Sequence, residues 1–166
     1  MAETGKIKRK FMAHFLEVPG STGKIVRLGR GIEDMSIELA PNVVKKQDIT
    51  GVNDTYVDAY DVTQAVTPYF AEVGDPLFDW LQKIVEERKT LDDLNTYAID
   101  VKLWEEPSNG KYKAIREKCV VAVTSYGGNI EGYQIPFTVN RTGEIEKGMF
   151  DINTKTFTPD LSDIMS

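Results

Sequence analysis

Apolar and polar residues alternate along most of this chain, and the alternation predicts strands. In TYAIDVKLW, residues 96–104, Tyr97, Ile99, Val101 and Leu103 fall on one side and Asp100 and Lys102 on the other. That period of two marks a half-buried antiparallel strand. EEPSNGKY follows, and its Pro107 and Asn109–Gly110 pair suit a turn. REKCVVAVTSY, residues 116–126, reads as a more buried returning strand. GYQIPFTV, residues 132–139, alternates Tyr133, Ile135, Phe137 and Val139. Pro136 within it cannot donate a ladder hydrogen bond, which points to a sheet edge or a bulge. RTGE at 141–144 is expected to turn the chain back into IEKGMFDI, and NTKT at 153–156 suits another tight turn before Phe157. Upstream, RKFMAHFLEV (9–18) and KIVRL (24–28) are weaker strand candidates around the turn PGSTG, and EDMSIELA (33–40) is another.

The period changes once. In GDPLFDWLQKIVEERKTLDDL, Leu77, Leu81, Ile84 and Val85 recur at helical spacing with Phe78 beside them. Asp75 is a suitable N-cap and Pro76 a suitable first helical residue. A helix over about 75–89 is expected, with Arg88 and Lys89 in its last turn, where cations suit the dipole. Its apolar stripe should pack on a sheet.

One stretch fits neither period. In LAPNVVKKQDITGVNDTYVDAYD (39–61), the alternation arriving through Met35, Ile37 and Leu39 lapses and resumes only near Tyr56. A hairpin connection needs only about 2–5 residues. The seventeen residues from Asp54 to Phe70 would reach ~58 Å if extended, several times an ordinary strand. Residues 41–54 therefore read as a long inter-strand loop, an arm that becomes strand near Ala59. The loop carries Val43, Val44, Ile49 and Val52, apolar groups a solvated loop has no reason to hold, together with Lys45 and Lys46. The whole reads as a mainly β chain: an antiparallel sandwich or barrel core, one flanking helix, and this loop.

The length of 166 residues suits one domain, 1–166, with possible arms at 1–10 and 158–166. Hydrophobic content of 41%, charged content of 28% and a mean hydropathy of −0.32 are those of a soluble globular protein. No apolar run approaches the ~20 residues a membrane helix needs, and the first residues lack the apolar region of a secretory signal, so folding in a cytoplasm is expected. A net charge of −6 argues against a dedicated nucleic-acid binder. The local exception, KIKRK at 6–10, reads as a solvated arm, with partner docking as its functional alternative.

Candidate chemistry is sparse. Cys119 is the only cysteine, which excludes an internal disulfide and a cysteine-only metal site. His14 is the only histidine, which excludes a two-histidine metal site. Cys119 in KCVVAV reads as a buried, inert thiol, and His14, near Phe11 and Phe15, as a strand residue with a satisfied ring. GSTGK (20–24) lacks the spacing of a phosphate-binding loop and has Ile25 where a metal-binding hydroxyl belongs. The acidic pairs Glu86–Glu87, Asp92–Asp93 and Glu105–Glu106 suit solvated turns and helix faces. No enzyme activity, cofactor or metal is expected.

Several segments together resemble a known family. They are the basic N-terminal segment, IEDMSIELAPNVVKKQDITG, VTPYFAEVGDPLFDWLQKIVEERKTLDDL, VKLWEE, SYGGNIEGYQIPFTV and GEIEKGMFDINTKTFTP. Nearly the whole chain is similar to the tail tube proteins, or major tail proteins, of long-tailed bacteriophages of Gram-positive hosts. The resemblance implies a β-sandwich or barrel-like core flanked by a helix. It implies homo-hexameric rings stacked head to tail into a hollow tube that delivers DNA. Partners would be further copies of the chain and the tape measure, tail terminator and distal tail proteins. DNA would pass through without specific binding. The place would be the virion, assembled in the host bacterial cytoplasm, with no membrane, cofactor or catalytic residue involved. On that basis Val43, Val44, Lys45, Lys46 and Ile49 form a ring-stacking loop, mobile in a free subunit and ordered in the tube. Ser36, Glu38, Asp61 and Thr63 would face the lumen, with Val62, Val66, Ile37 and Leu39 turned to the core. Two alternatives remain: the inner tube of a contractile tail or a secretion-like injection device, or a soluble β-sandwich binding module for a receptor or carbohydrate. Trp80 and Trp104 would then be stacking platforms.

Overall fold

A computed structural model of the chain describes residues 5–19, 25–29, 32 and 35–160. Its elements run β1 (Met12–Glu17), β2 (Ile25–Leu28), β3 (Ile37–Glu38), β4 (Pro41–Gln47), β5 (Asn53–Tyr60), β6 (Thr63–Val66) and α1 (Pro76–Glu87), then β7 (Asn95–Lys102), β8 (Lys111–Val123), β9 (Gly127–Asn129), β10 (Gly132–Gln134), β11 (Phe137–Asp151) and β12 (Thr156–Pro159). Short 3₁₀ turns precede β1 and β7. The main sheet has the order β2-β1-β7-β8-β11-β6-β3, with β12 paired to β11 beside β6. Every pairing is antiparallel. The fold is mainly β, a curled sheet forming a half-barrel with one helix, as the alternation predicts. The pairs β9–β10 and β4–β5 are separate two-stranded sheets.

The curl follows from where side chains meet. Phe15 on β1 and Phe150 on β11 have ring centroids 4.6 Å apart, although β7 and β8 lie between their strands. In a flat sheet three strand spacings would separate them by ~14 Å. Around them Ala13, Ile99, Val101 and Ala114 form one core. The opposite face builds the larger one, from Leu16, Ala98, Cys119, Val121, Phe137 and Val139 against α1. Residues of β7 are consequently buried on both faces. This corrects the half-buried expectation: Asp100, read as solvent-facing, is covered.

The helix forms where the spacing predicts. The Asp75 carboxylate accepts from the Leu77 amide at 3.0 Å and from the Tyr69 hydroxyl at 2.5 Å, which fastens the first turn to the preceding chain. Leu77, Trp80, Leu81, Ile84 and Val85 are buried. Each such side chain contributes about 1.5–3 kcal/mol when taken from water. Arg88 does not extend the last turn; it adopts a left-handed conformation as the C-cap, with Lys89 beyond it.

RTGE does not reverse the chain. β11 runs through it because its partner β8 is long enough to pair on both sides, from Phe137↔Val123 to Asp151↔Lys111. The register shifts between Arg141 and Ile145, so residues 142–144 are accommodated as a bulge, with Gly143 at φ 91. The turns at Asn109–Gly110 and after Asp151 form as expected, Ser108 pairing Lys111 and Phe150 pairing Phe157. Pro136 falls between β10 and β11, outside both. GSTGK lies outside the described residues, as do 1–4 of the N-terminal arm and 161–166 of the C-terminal one.

Candidate functional site

The long segment is the largest departure from expectation. Residues 41–60 are not an irregular loop but a twisted hairpin, with β4 and β5 paired from Pro41↔Tyr60 to Gln47↔Asn53. The strand expected near Ala59 thus extends back to Asn53 and has β4 as its partner. The tip is closed locally. Asp48 Oδ1 accepts from the Thr50 hydroxyl at 2.5 Å, the Thr50 amide at 2.8 Å and the Val52 amide at 3.1 Å, and Gly51 supplies φ 85. The Thr50 hydroxyl, then the Val52 amide, hold the Asp48 carboxyl below its ordinary range.

Both faces of the hairpin are open. A one-residue bulge at Asp58 offsets the register, so Val43 opposes Val57 while Val44 opposes Tyr56. On one face lie Tyr60, Val43 and Val57; on the other, Val44 and Tyr56, with the Lys46 ammonium 6.0 Å from the Tyr56 ring centre. Val44 is half-buried and every other residue of the two strands is exposed. Ile49 at the tip is fully exposed. Val43, Val44, Lys45 and Lys46 therefore sit on one strand, and Ile49 at the turn beyond it.

Ser36, Glu38, Asp61 and Thr63 come together at the base of the hairpin. β3 pairs β6 through Glu38↔Thr63 and Ile37↔Gln64. Ser36, Glu38 and Asp61 are exposed and Thr63 is half-buried, on the side of the sheet away from Gln64 and Val66, which are fully buried. Val62 and Ile37 are half-buried with that inner set. Leu39 is not: it is 53% exposed, at the point where the chain leaves β3 for the hairpin.

A buried charged cluster escaped the sequence altogether. Arg141 Nη1 and Nη2 donate to Asp100 Oδ2 and Oδ1 at 2.5 and 2.9 Å, Nη2 also to Gln64 Oε1 at 2.7 Å, and Nη1 lies 3.4 Å from Glu117 Oε1. His14 Nδ1 donates to Asp100 Oδ1 at 2.6 Å, and Glu117 Oε2 accepts from the Gly143 amide at 2.9 Å. Burial pushes the Asp100 carboxyl up, but the bonds from His14 and Arg141 outweigh it and leave the group below its ordinary value. Arg141 is held charged by the same carboxylates. Its Nε has no hydrogen-bond partner among the described residues. No periodicity announces such a cluster, since side chains bonded to each other in it are up to 86 residues apart. Cys119 is buried beside it, its thiol pushed up to about 12 by burial.

The two tryptophans do not form a shared platform. Trp80 is buried on the core-facing side of α1. Trp104 lines a cleft of about 300 Å³ with Lys6, Lys8, Phe11, Leu103 and Tyr112. In the same basic segment, where residues 6–10 are all exposed, Arg9 donates to the Met12 and Met35 carbonyls at 2.7 and 3.1 Å.

Compared with known proteins, the chain matches no family model and no curated protein sequence.

Proposed function

We propose that the chain is a structural subunit that assembles with copies of itself, as homo-hexameric rings stacked head to tail into the hollow tail tube of a long-tailed bacteriophage. The observation that carries it is the hairpin. A two-stranded ribbon is marginal in water by itself. This one leaves large apolar side chains exposed on both faces, Val43, Val57 and Tyr60 on one and Tyr56 on the other. A head-to-tail stack is an open, heterologous assembly that needs such an extended element to meet a different surface on the next copy. Val43, Val57, Tyr60 and Ile49 would be covered by a neighbouring subunit, while Lys45 and Lys46 set register more than strength, since exposed ion pairs contribute only ~0–1 kcal/mol. Ser36, Glu38, Asp61 and Thr63 would face the channel, where acidic and small polar groups repel or ignore the phosphates of passing DNA. The resemblance of the sequence to tail tube proteins supports the same conclusion, and no catalytic step is assigned.

Concentration-dependent light scattering with electron microscopy tests the proposal. Rings or tubes of uniform diameter are the expected outcome. A chain that stays monomeric at every concentration and salt, and also fails to enter tubes when an initiator complex is supplied, would overturn it. A discrete monomer stabilised by a sugar or a receptor fragment would indicate a binding module instead.

A further inference from the structure

Among the described residues the hairpin is fastened to the body only at its base, so whatever fixes the base aims the ribbon. The eight residues of β5 reach ~26 Å, and a swing of about 20° at the base carries the tip through ~9 Å. A contact surface on such a lever is useful only if its angle is set.

We propose that Arg141 is the positioning residue that aims the hairpin, tying both of its legs to the charged cluster inside the sheet. The returning leg is held twice. The Arg141 backbone amide donates to the Val62 carbonyl at 3.0 Å, and its guanidinium donates to Gln64 two residues further on at 2.7 Å. The outgoing leg is held through the same glutamine, whose Nε2 donates to Met35 Sδ at 2.9 Å just before β3. That leg turns out of the sheet at Ala40, which adopts φ 41, a left-handed conformation unusual for a residue with a Cβ. The Ala40 carbonyl accepts from the Asp61 amide at 3.3 Å, which joins leg to leg. The guanidinium is itself immobilised by its two bonds to Asp100, and Asp100 by His14. A planar fork with several donors can grip Asp100 and Gln64 together; a lysine ammonium is a single point. On the other side of Arg141 the bulge is held by the Gly143 amide on Glu117.

Aim is a property of the single subunit and is measured without any tube, so its test and that of the assembly proposal fail independently. Spin labels are placed at Thr55→Cys on the hairpin and Lys83→Cys on the exposed side of α1. Cys119 stays unlabelled at neutral pH because it is buried with its thiol pushed up to about 12. Double electron–electron resonance then reads the interlabel distance in dilute subunit. Gln64→Met keeps volume and leaves Arg141 on Asp100, but cuts the link to the leg. The expected result is a distribution broadened or shifted by several ångströms, on the scale of the lever estimate. Gln64→Glu retains an acceptor for Arg141 but has no donor for Met35 Sδ, so it should keep the returning leg tied and give a distribution between the native one and that of Gln64→Met. Arg141→Lys gives a second route to the same loosening should Gln64→Met not fold. A native distribution in the cut variants, or loosening in Gln64→Glu as large as in Gln64→Met, would overturn the proposal.

Discussion

Asp100 shows how a residue's role can be hidden by its own strand. Read locally it is the polar half of an alternating pair; in the fold it is the anion around which His14 and Arg141 are arranged. Its partners come from β1 and β11, and only the order of strands in the sheet brings them together. Removing one member leaves a buried charge uncompensated, so Arg141→Met should cost about 3–5 kcal/mol in denaturant unfolding. The pH dependence has a definite sign. Asp100 is held below its ordinary value of 3.8. Its contribution is therefore complete above the unfolded-state value and is lost as pH falls through the lower folded value. Urea midpoints followed from pH 6 downward should decline more steeply for the native chain than for Asp100→Asn, whose amide does not titrate there. Parallel curves would show that Asp100 carries none of the acid sensitivity. His14 and Cys119, by contrast, were legible: His14 reads as a strand residue with a satisfied ring and is bonded to Asp100, and Cys119 reads as a buried thiol and is buried.

At the scale of elements, legibility tracks how much of a segment's environment is local. The helix was readable because Asp75, Pro76 and a one-sided apolar stripe specify it within a dozen residues. The hairpin was not, because a ribbon exposed on both faces has no buried side to enforce alternation. Its valines and its two tyrosines are distributed over both faces, and Asp58 adds a bulge that breaks the remaining period. The β11 bulge was missed for a related reason: RTGE has turn chemistry, but the long partner β8 decides the outcome. The hairpin also lends itself to excision. Replacing residues 43–58 with Asn-Gly would close Asn42 onto Ala59, which already pair. The shortened chain should keep its cooperative unfolding and lose assembly; tubes of normal length from it would rule out the hairpin as a stacking element. Hydrogen exchange adds a gradient. β4 and β5 amides should exchange much faster than those of β7 and β8 in the free subunit, and slow markedly once assembled.

For the whole molecule, charge placement matters more than charge total. Each copy carries −6, but only Glu38 and Asp61 among its acids are assigned here to the channel. Both are exposed side chains at the β3–β6 edge, away from the buried Gln64 and Val66. Glu38→Lys with Asp61→Lys should therefore leave subunit stability and ring formation unchanged while slowing DNA passage, and more so at low salt, where phosphate attraction is strongest. Ejection kinetics indifferent to the double substitution would remove these residues from the channel wall. The sheet order itself could not be read from the sequence, since β1 pairs β7 across some eighty residues of intervening chain.

The base of the hairpin has a mechanical consequence. A pull on the ribbon enters the body at two adjacent points, residues 39–40 and 61–62, and passes from there into β3 and β6. β6 is paired to β11, and β11 is paired in turn to β8 along most of its length. Because β3 is the edge strand and pairs β6 through only two residues, tension applied at an outer contact first loads that short edge ladder and reaches β11 and β8 through β6. A shaft built from such parts would give first where each ribbon meets that edge, at β3, before the longer ladders of β11 and β8 yielded.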